Sequence, residues 1–267
     1  MADEIADVSW YHSIALPGGI VTPGLYDLRP ALEHSLLPRS LAGLRCLDVG
    51  THDGFWAYEM ERRGADEVVA IDLDDPARYD VRHPHPPLDI LREQVVNRRR
   101  AFGIAHEALA SKVKRQDLSV YDLTPEAVGT FDVAYIGTLL HHLRDPVGAL
   151  VALRRVVTGE LVVNGVFSVY KTVLFPRSPV ADVLPLTLPA FWEIPNLEAL
   201  RRQLIAAGWE IVRSGRPYLQ RYGSGWVQPR LTLRPWSTLP ARLLLIRGAP
   251  HVALVGRPAG GAASPAG

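Results

Sequence analysis

The sequence is poor in sulfur and in lysine. Of its 267 residues, one is cysteine, Cys46, and two are methionine. A single cysteine excludes an internal disulfide framework. Cys46 stands within an apolar run, which predicts a small buried side chain. Lysine occurs only at positions 112, 114 and 171, so arginine supplies most of the positive charge.

Long hydrophobic runs are also missing. The start, MADEIADVSWYHS, is acidic and has no apolar core, so no signal peptide is predicted. The apolar stretch ARLLLIRGAPHVALVG is interrupted by Arg247, Gly248 and Pro250 and is too short to span a bilayer. With 48% hydrophobic and 21% charged residues, the chain is predicted to be a globular cytoplasmic protein without a membrane partner.

The net charge of +1 conceals a difference between the two halves of the chain. Residues 1–150 hold 15 Lys and Arg against 23 Asp and Glu, a net charge of −8. Residues 151–267 hold 14 against 5, a net charge of +9. This asymmetry favours an anionic partner for the C-terminal part. The alternative is that a basic face meets an acidic one within the molecule.

Apolar runs typical of strands alternate with stretches of helical period. The strand-like runs are LRCLDVG, EVVAIDL, KVKRQDL, FDVAYIGTLL, GELVVNGVF, WEIVRSG and PHVALVGR. Helices are predicted over DGFWAYEMERRGA, over about 90–110, after a cap at Asp145 and over NLEALRRQLIAAG. This alternation predicts one α/β domain with a mostly parallel sheet covered by helices on both faces.

A glycine turn follows the first of these strands, in the stretch CLDVGTHDGFWAYE. Asp48 ends the strand, Gly50 allows a sharp turn, and Gly54 allows the next helix to begin close to a ligand. The second strand ends at Asp72, 24 residues beyond Asp48, where a carboxylate can bind both hydroxyls of a ribose.

The spacing D-x-G-x-x-x-G differs from the G-x-G-x-x-G of dinucleotide sites. Thr51, His52 and Asp53 stand between the two glycines and would keep the backbone away from a pyrophosphate. The turn is therefore predicted to bind a ligand that has a ribose but no pyrophosphate. S-adenosylmethionine (SAM) has these properties, and its ammonium group suits the acids of the turn.

Several stretches together resemble a known family: WYHSIALPGGIVTPGLYD, CLDVGTHDGFWAYEMERRGADEVVAIDL, SVYDL, FDVAYIGTLLHHLRDP and APHVALVGR. They resemble the class I SAM-dependent methyltransferases, in the branch of the tRNA wobble-uridine carboxymethyl/methoxyuridine methyltransferases. The resemblance extends from about Trp10 to Arg257. It implies a Rossmann-like, mostly parallel seven-stranded sheet with an antiparallel last strand.

The resemblance also implies positions for the cofactor. The methionine end would lie at Asp48, Gly50, Thr51 and Gly54, the ribose at Asp72 and Leu73, the adenine at Ser119 and Val120, and the sulfonium at Gly137.

Some residues depart from the family pattern. His52 stands where members often have a third glycine, and Ser119 where many have an acid. His251 and Val252 stand where the tRNA enzymes place a basic residue for carboxy-SAM. Those enzymes have a longer N-terminal region, whereas 43 residues precede Leu44 here. The departures favour SAM and a small-molecule acceptor over carboxy-SAM and tRNA.

Three histidines are candidates for a catalytic base. His141 and His142 follow the fourth strand, beside the expected methyl donor, and histidine titrates in a suitable range. His12, in an N-terminal lid, is the third candidate. The alternative for His141 and His142 is a packing or helix-capping role.

Three aromatic residues are predicted to contact the substrate: Trp10, Tyr11 and Trp192. For Trp10 the alternative is a hydrophobic anchor of the N-terminal segment, and for Trp192 it is a core position. The three arginines at 98–100 are predicted to form a solvated helix face. His83 and His85 lack further ligands, so no metal site is predicted.

These features predict an N-terminal lid over 1–43 and a SAM-binding domain over 44–257, with substrate-side insertions at about 167–195 and 214–249. Residues 258–267 are predicted to be a disordered tail. The expected function is SAM-dependent O-methylation of a small molecule, with an anionic acceptor as one option. The alternatives are a tRNA wobble-uridine methyltransferase or carboxymethyltransferase and a SAM-binding partner protein without catalysis.

Overall fold

The computed structural model describes residues 2–80, 87–184, 191–226 and 248–260, and in it the predicted strands form the centre of a ten-stranded sheet. The strands are β1 Trp10–His12, β2 Gly24–Asp27, β3 Arg45–Val49, β4 Glu67–Asp72, β5 Lys114–Asp117, β6 Phe131–Gly137, β7 Val157–Val166, β8 Ala181–Val183, β9 Glu193–Pro195, β10 Trp209–Ser214, β11 Tyr218–Tyr222 and β12 Ala249–Pro258. The helices are α1 Ala2–Ala6, α2 Phe55–Arg62, α3 Leu88–Ala108, α4 Pro125–Val128, α5 Pro146–Val156, α6 Val169–Leu174 and α7 Leu197–Ala206.

The strand order is β1-β2-β11-β12-β7-β6-β3-β4-β5, and β10 pairs with the second half of β12. From β5 to β7 all neighbours are parallel, whereas β12 is antiparallel to β7. The predicted Rossmann-like fold and antiparallel last strand are confirmed.

The predicted count of seven strands was too low for the main sheet. The short strands β1 and β2 of the N-terminal segment join β11, which in turn pairs with the first half of β12. Strands of three to five residues that pair with a distant segment have too few alternating positions to show a period of two. The sheet therefore extends beyond the seven predicted strands by β1, β2 and β11.

Apolar side chains cover both faces of the sheet. One face packs against α5 and α7, with Leu153 and Leu204 fully buried, and the other packs against α2 and α3, with Met60 and Ala105 fully buried. Cys46 is 0% exposed, as predicted for a small core residue. These two layers fix the positions of the strand ends.

The predicted start of α5 is confirmed in atomic detail. The side chain of Asp145 accepts a hydrogen bond from the backbone N–H of Gly148 at 2.7 Å, and Pro146 occupies the first turn. This cap fixes where the chain leaves the loop that follows β6.

The prediction of a solvated face at 98–100 was wrong for Arg98. Its guanidinium is largely buried and lies 3.3 Å from a carboxylate oxygen of Asp72. The helical position faces the end of β4, which a run of three arginines in the sequence does not reveal. Arg99 and Arg100 are exposed, as predicted.

Among the described residues the two charged halves of the chain meet at Asp27, whose pKa is lowered by Arg29 and also by Arg221 of the C-terminal half. The ion pairs of the C-terminal part join its own bases and acids: Lys171 with Asp182, Arg202 with Glu198, and Arg213 and Arg257 with Glu160. The second predicted insertion lies partly, and the predicted tail mostly, outside the described residues.

Candidate cofactor and acceptor site

The carboxyl ends of three neighbouring strands carry the residues expected to hold the cofactor. Asp48 lies near the end of β3, Asp72 ends β4 and Gly137 ends β6. Because β4 lies on one side of β3 and β6 on the other, the chain reverses its order of strands here. Ligands of open α/β sheets bind at such a switch point.

The glycine turn has the strained backbone that its sequence predicts. Gly50 has φ +74° and Gly54 φ +95°, both in the left-handed region. A Cβ at Gly54 would lie 2.4 Å from the Tyr58 ring, so the glycine is required by packing within α2. His52, which replaces a third glycine, adopts φ +53°. Its ring stacks on Tyr11, with centroids 4.4 Å apart.

Asp72 is oriented by the chain around it. Its carboxylate accepts hydrogen bonds from the backbone N–H of His52 and of Leu73, each at 2.8 Å, and forms the ion pair with Arg98. A carboxylate has about four lone-pair positions, so one stays open for a ribose hydroxyl. The geometry thus leaves room for one of the two ribose hydroxyls that Asp72 is predicted to bind.

Three buried polar atoms of this region form no hydrogen bond of normal geometry among the described residues, although the Thr51 hydroxyl lies beside the Asp48 carboxyl: Asp48 Oδ2, Thr51 Oγ1 and His52 Nδ1. Native structures rarely leave such atoms unpaired unless a ligand or water completes them. An acid and a hydroxyl side by side suit an ammonium group. The turn therefore fits the amino-acid end of SAM.

The predicted adenine contacts lie after β5. Ser119 caps a short 3₁₀ turn, where its hydroxyl accepts from the backbone N–H of Tyr121 at 3.3 Å. Val120 is 6% exposed. These positions offer an apolar wall and a hydroxyl that is already in use.

Asp53 joins the glycine turn to the N-terminal strand β1, and sequence reasoning gave it no role. Its Oδ2 accepts from the backbone N–H groups of Tyr11 and His12, at 2.9 and 2.8 Å. Its Oδ1 forms a short hydrogen bond with Nδ1 of His12. Asp53 is 0% exposed and His12 7% exposed. The pair is separated by 41 residues in sequence, so no local motif indicates it.

The other two candidate histidines lie in a different environment. His141 is 3% exposed and packs against His142 and Phe191, with both ring centroids at 4.1 Å. Its Nε2 has no partner among the described residues. Burial lowers the pKa of His141 well below its ordinary value. His142 is half-buried beside it.

The three aromatic residues predicted to contact the substrate lie at three different places in the structure. Trp10 is 2% exposed, and its indole N–H donates to the Ile5 carbonyl, so it anchors the N-terminal segment. Tyr11 is half-buried, and its ring lies over His52 of the glycine turn. Trp192 is half-buried, donates through its indole to the carbonyl of Asp80 and covers the loop after β6. The structure does not bring Trp10 to the site.

The described residues contain neither a metal-binding cluster nor a membrane-spanning helix. No group of three His, Cys, Asp or Glu side chains within these ranges is placed to hold a metal ion, and His83 and His85 lie outside them. In the same part of the chain, no helix is both long and apolar enough to cross a membrane.

The sheet order and the strand-end acids define a class I methyltransferase. Residues 25–214 match the model of a family described as a methyltransferase domain. The chain therefore belongs to this methyltransferase family, and its methyl donor is SAM.

Curated relatives differ in what their names say they act on. The chain is 27% identical over 117 residues to a ubiquinone biosynthesis O-methyltransferase of Acinetobacter baylyi, covering 44% of this chain and 40% of that protein. It is 28% identical over 186 residues to a tRNA U34 carboxymethyltransferase of Pseudomonas paraeruginosa, covering 65% of this chain and 47% of that one. The chain thus spans less than half the length of these two relatives.

A solved structure has the same fold over nearly the whole chain. The N-terminal domain of EvdMO1 with S-adenosylhomocysteine (SAH) bound superposes with a TM-score of 0.57 at 17% identity, covering 96% of this chain and 94% of that one. At this identity the likeness concerns the fold.

Proposed function

We propose that this protein transfers the methyl group of SAM to an oxygen of a small molecule, with His12 as the general base. The observation that carries this proposal is the buried pair of His12 and Asp53 beside the cofactor turn. A carboxylate that orients an imidazole from one nitrogen leaves the other nitrogen free to take a proton.

The cofactor would be held by residues of the three strand ends. Asp48 and Thr51 would bind its amino-acid end, Asp72 its ribose, and Val120 would pack against its adenine. When bound, SAM supplies a methyl group on a positively charged sulfur. Gly137 would lie beside that sulfur, and packing requires a glycine there because a Cβ would lie 2.8 Å from the Tyr135 ring.

The tautomer of His12 follows from its partner. Burial raises the pKa of Asp53, but the nearby His12 and its hydrogen bonds outweigh burial and hold that pKa below its ordinary value. The carboxylate is therefore ionised and accepts, so Nδ1 of His12 carries the hydrogen. Nε2 then has a free lone pair. It takes the acceptor's hydroxyl proton as the acceptor oxygen gains the methyl group.

His12 is favoured over His141 by both geometry and charge. Within the described ranges no carboxylate contacts the His141 ring, and burial opposes its protonation. A base whose protonated form is destabilised removes a proton poorly. By contrast, the carboxylate of Asp53 contacts the His12 ring directly. His141 is better suited to packing under Phe191 and Trp192.

The N-terminal strand would also keep water away from the reaction. Asp53 binds the backbone of both Tyr11 and His12, and Tyr11 covers His52. The strand is thus held directly over the cofactor turn. Excluding water in this way strengthens the electrostatic interactions on which transfer depends.

Transfer to tRNA is the second candidate, supported by the carboxymethyltransferase relative and by the +9 charge of residues 151–267. If the acceptor is a small molecule, bulk tRNA should bind weakly, and its affinity should fall steeply between about 50 and 200 mM salt. Filter binding measures this. Salt-resistant binding that selects one isoacceptor would favour the tRNA reaction instead.

Affinity for SAH is expected to increase with pH between about 6 and 8. Burial raises the pKa of Asp48 to about 7. The carboxylate therefore gains its charge over this range and can then pair with the ammonium of the ligand. Calorimetric titrations at several pH values measure the effect. Asp48→Asn should flatten the dependence, and an unchanged slope in that variant would assign it to another group.

A further inference from the structure

Three polar side chains from neighbouring strands lie on one face of the sheet, next to the end of β6. Asn164 on β7 is aligned with Gly137 on β6. His251 on β12 is aligned with Val166 on β7 and with Tyr218 on β11. Because residues two apart on a strand share a face, Asn164, His251 and Tyr218 face the same side.

Only the nitrogen of the Asn164 carboxamide forms hydrogen bonds among the described residues. Its Nδ2 donates to the hydroxyl oxygens of Tyr135 at 2.9 Å and Tyr218 at 2.5 Å. Its Oδ1 is buried and has no partner among the described residues. A buried acceptor left unpaired is destabilising. Asn164 is 2% exposed, so its Oδ1 is in position for a donor that the described chain does not provide.

His251 is neutral in this arrangement. Its Nδ1 lies 2.9 Å from the carbonyl oxygen of Ala249, which can only accept, so Nδ1 carries the hydrogen. Its Nε2 then accepts from the hydroxyl of Thr138 at 3.2 Å. Burial lowers the pKa of His251 to about 4. This side chain therefore adds no charge beside Gly137.

No charged side chain takes part in this network among the described residues. The hydrogen bonds of Asn164, Tyr218 and His251 involve hydroxyls, an amide and a backbone carbonyl. An anionic group entering here would stay unpaired, which is costly away from water. A neutral group that donates a hydrogen bond would satisfy Asn164.

Aromatic rings surround the same network. Tyr218 is half-buried and stacks on His34, with centroids 5.3 Å apart and planes at 22°. The Trp56 ring lies 4.2 Å from that of Tyr135. Trp56 and Tyr135 are 6% and 0% exposed, so it is the half-buried Tyr218 that can present its face to a flat ring.

We propose that this face, defined by Asn164, Tyr218 and His251, binds the methyl acceptor, and that the acceptor is a neutral ring carrying a hydroxyl group. Asn164 Oδ1 accepts a hydrogen bond from that hydroxyl or a neighbouring one, and Tyr218 contacts the ring. The inference rests on the proposed function and gives it a substrate class. It excludes the anionic acceptor that the charge of the C-terminal half favours.

The test compares two probes on the protein saturated with SAH: catechol, and 3,4-dihydroxybenzoate, which adds a carboxylate to the same ring. Ligand-observed NMR titration should show catechol binding at least about tenfold more tightly, a difference of about 1.4 kcal/mol. Asn164→Leu and Tyr218→Leu, which removes the ring, should each weaken catechol binding about three- to tenfold. Tyr222→Leu, on the same strand but outside the network, should leave it unchanged.

Three results would overturn the inference while SAH still binds. They are equal or tighter binding of 3,4-dihydroxybenzoate, no catechol binding to the wild-type protein, and catechol affinity that survives both in Tyr218→Leu and in a folded Asn164→Leu. Failure of the wild-type protein to bind SAH would instead remove the proposed function. The SAH titration therefore separates the two failures.

Discussion

Replacing His12 with Gln is expected to lower the single-turnover rate of methyl transfer by about 10²–10⁴-fold and to leave SAH affinity nearly unchanged. Gln keeps a polar side chain next to Asp53 but cannot take a proton from the acceptor. Rapid-quench measurements with the identified acceptor provide the rate, and calorimetric titration provides the SAH affinity.

The matched control is His141→Gln, which removes another buried imidazole close to the expected methyl donor. It should reduce stability because His141 packs against Phe191, but the rate per folded molecule should change little. A large loss of rate in His141→Gln together with full activity in His12→Gln would transfer the role of base to His141. Full activity in both variants would indicate transfer by proximity alone.

Asp72→Ala is expected to weaken SAH binding by about 1.5–3 kcal/mol, which corresponds to about 10–150-fold in Kd. The variant removes a charged acceptor that His52, Leu73 and Arg98 hold in place at the end of β4. It also leaves Arg98 without its carboxylate at a largely buried position. Isothermal calorimetry measures the loss directly.

Glu67 provides the control because it lies at the opposite end of the same strand. Its carboxylate pairs with Arg45 and Lys114 at the amino end of β4, away from the glycine turn. Glu67→Gln should leave SAH affinity unchanged, although some stability is lost. If Asp72→Ala retained wild-type affinity, the ribose would have to bind elsewhere.

The cofactor turn could be predicted because its determinants are local. A strand end, two glycines with positive φ and an acid at the next strand end are all fixed by short stretches of sequence. The mostly parallel sheet followed from the alternation of strands with helices, and its antiparallel last strand followed from the resemblance to the family. The reason for Gly54 was different from that expected, since the residue that needs the space is Tyr58.

The acceptor side could not be predicted in the same way. The pairing of His12 with Asp53 and the network of Asn164 and Tyr218 join residues 41 and 54 positions apart in the chain. Each depends on how the short strands β1, β2 and β11 dock at the sheet edge, and these strands have no strong period of their own. Which side chains meet at such sites depends on tertiary contacts, and patterns in a single sequence do not show those contacts.

The place of β2 in the sheet also affects how the protein is made. Asp27 of β2 pairs with Arg221 of β11, 194 residues later in the chain. At a synthesis rate of about 5–20 residues per second, the ribosome needs roughly 10–40 s to produce that partner. During this time the N-terminal segment has an unpaired strand edge, which is a site for aggregation. Newly made chains should therefore depend on chaperones until β11 emerges.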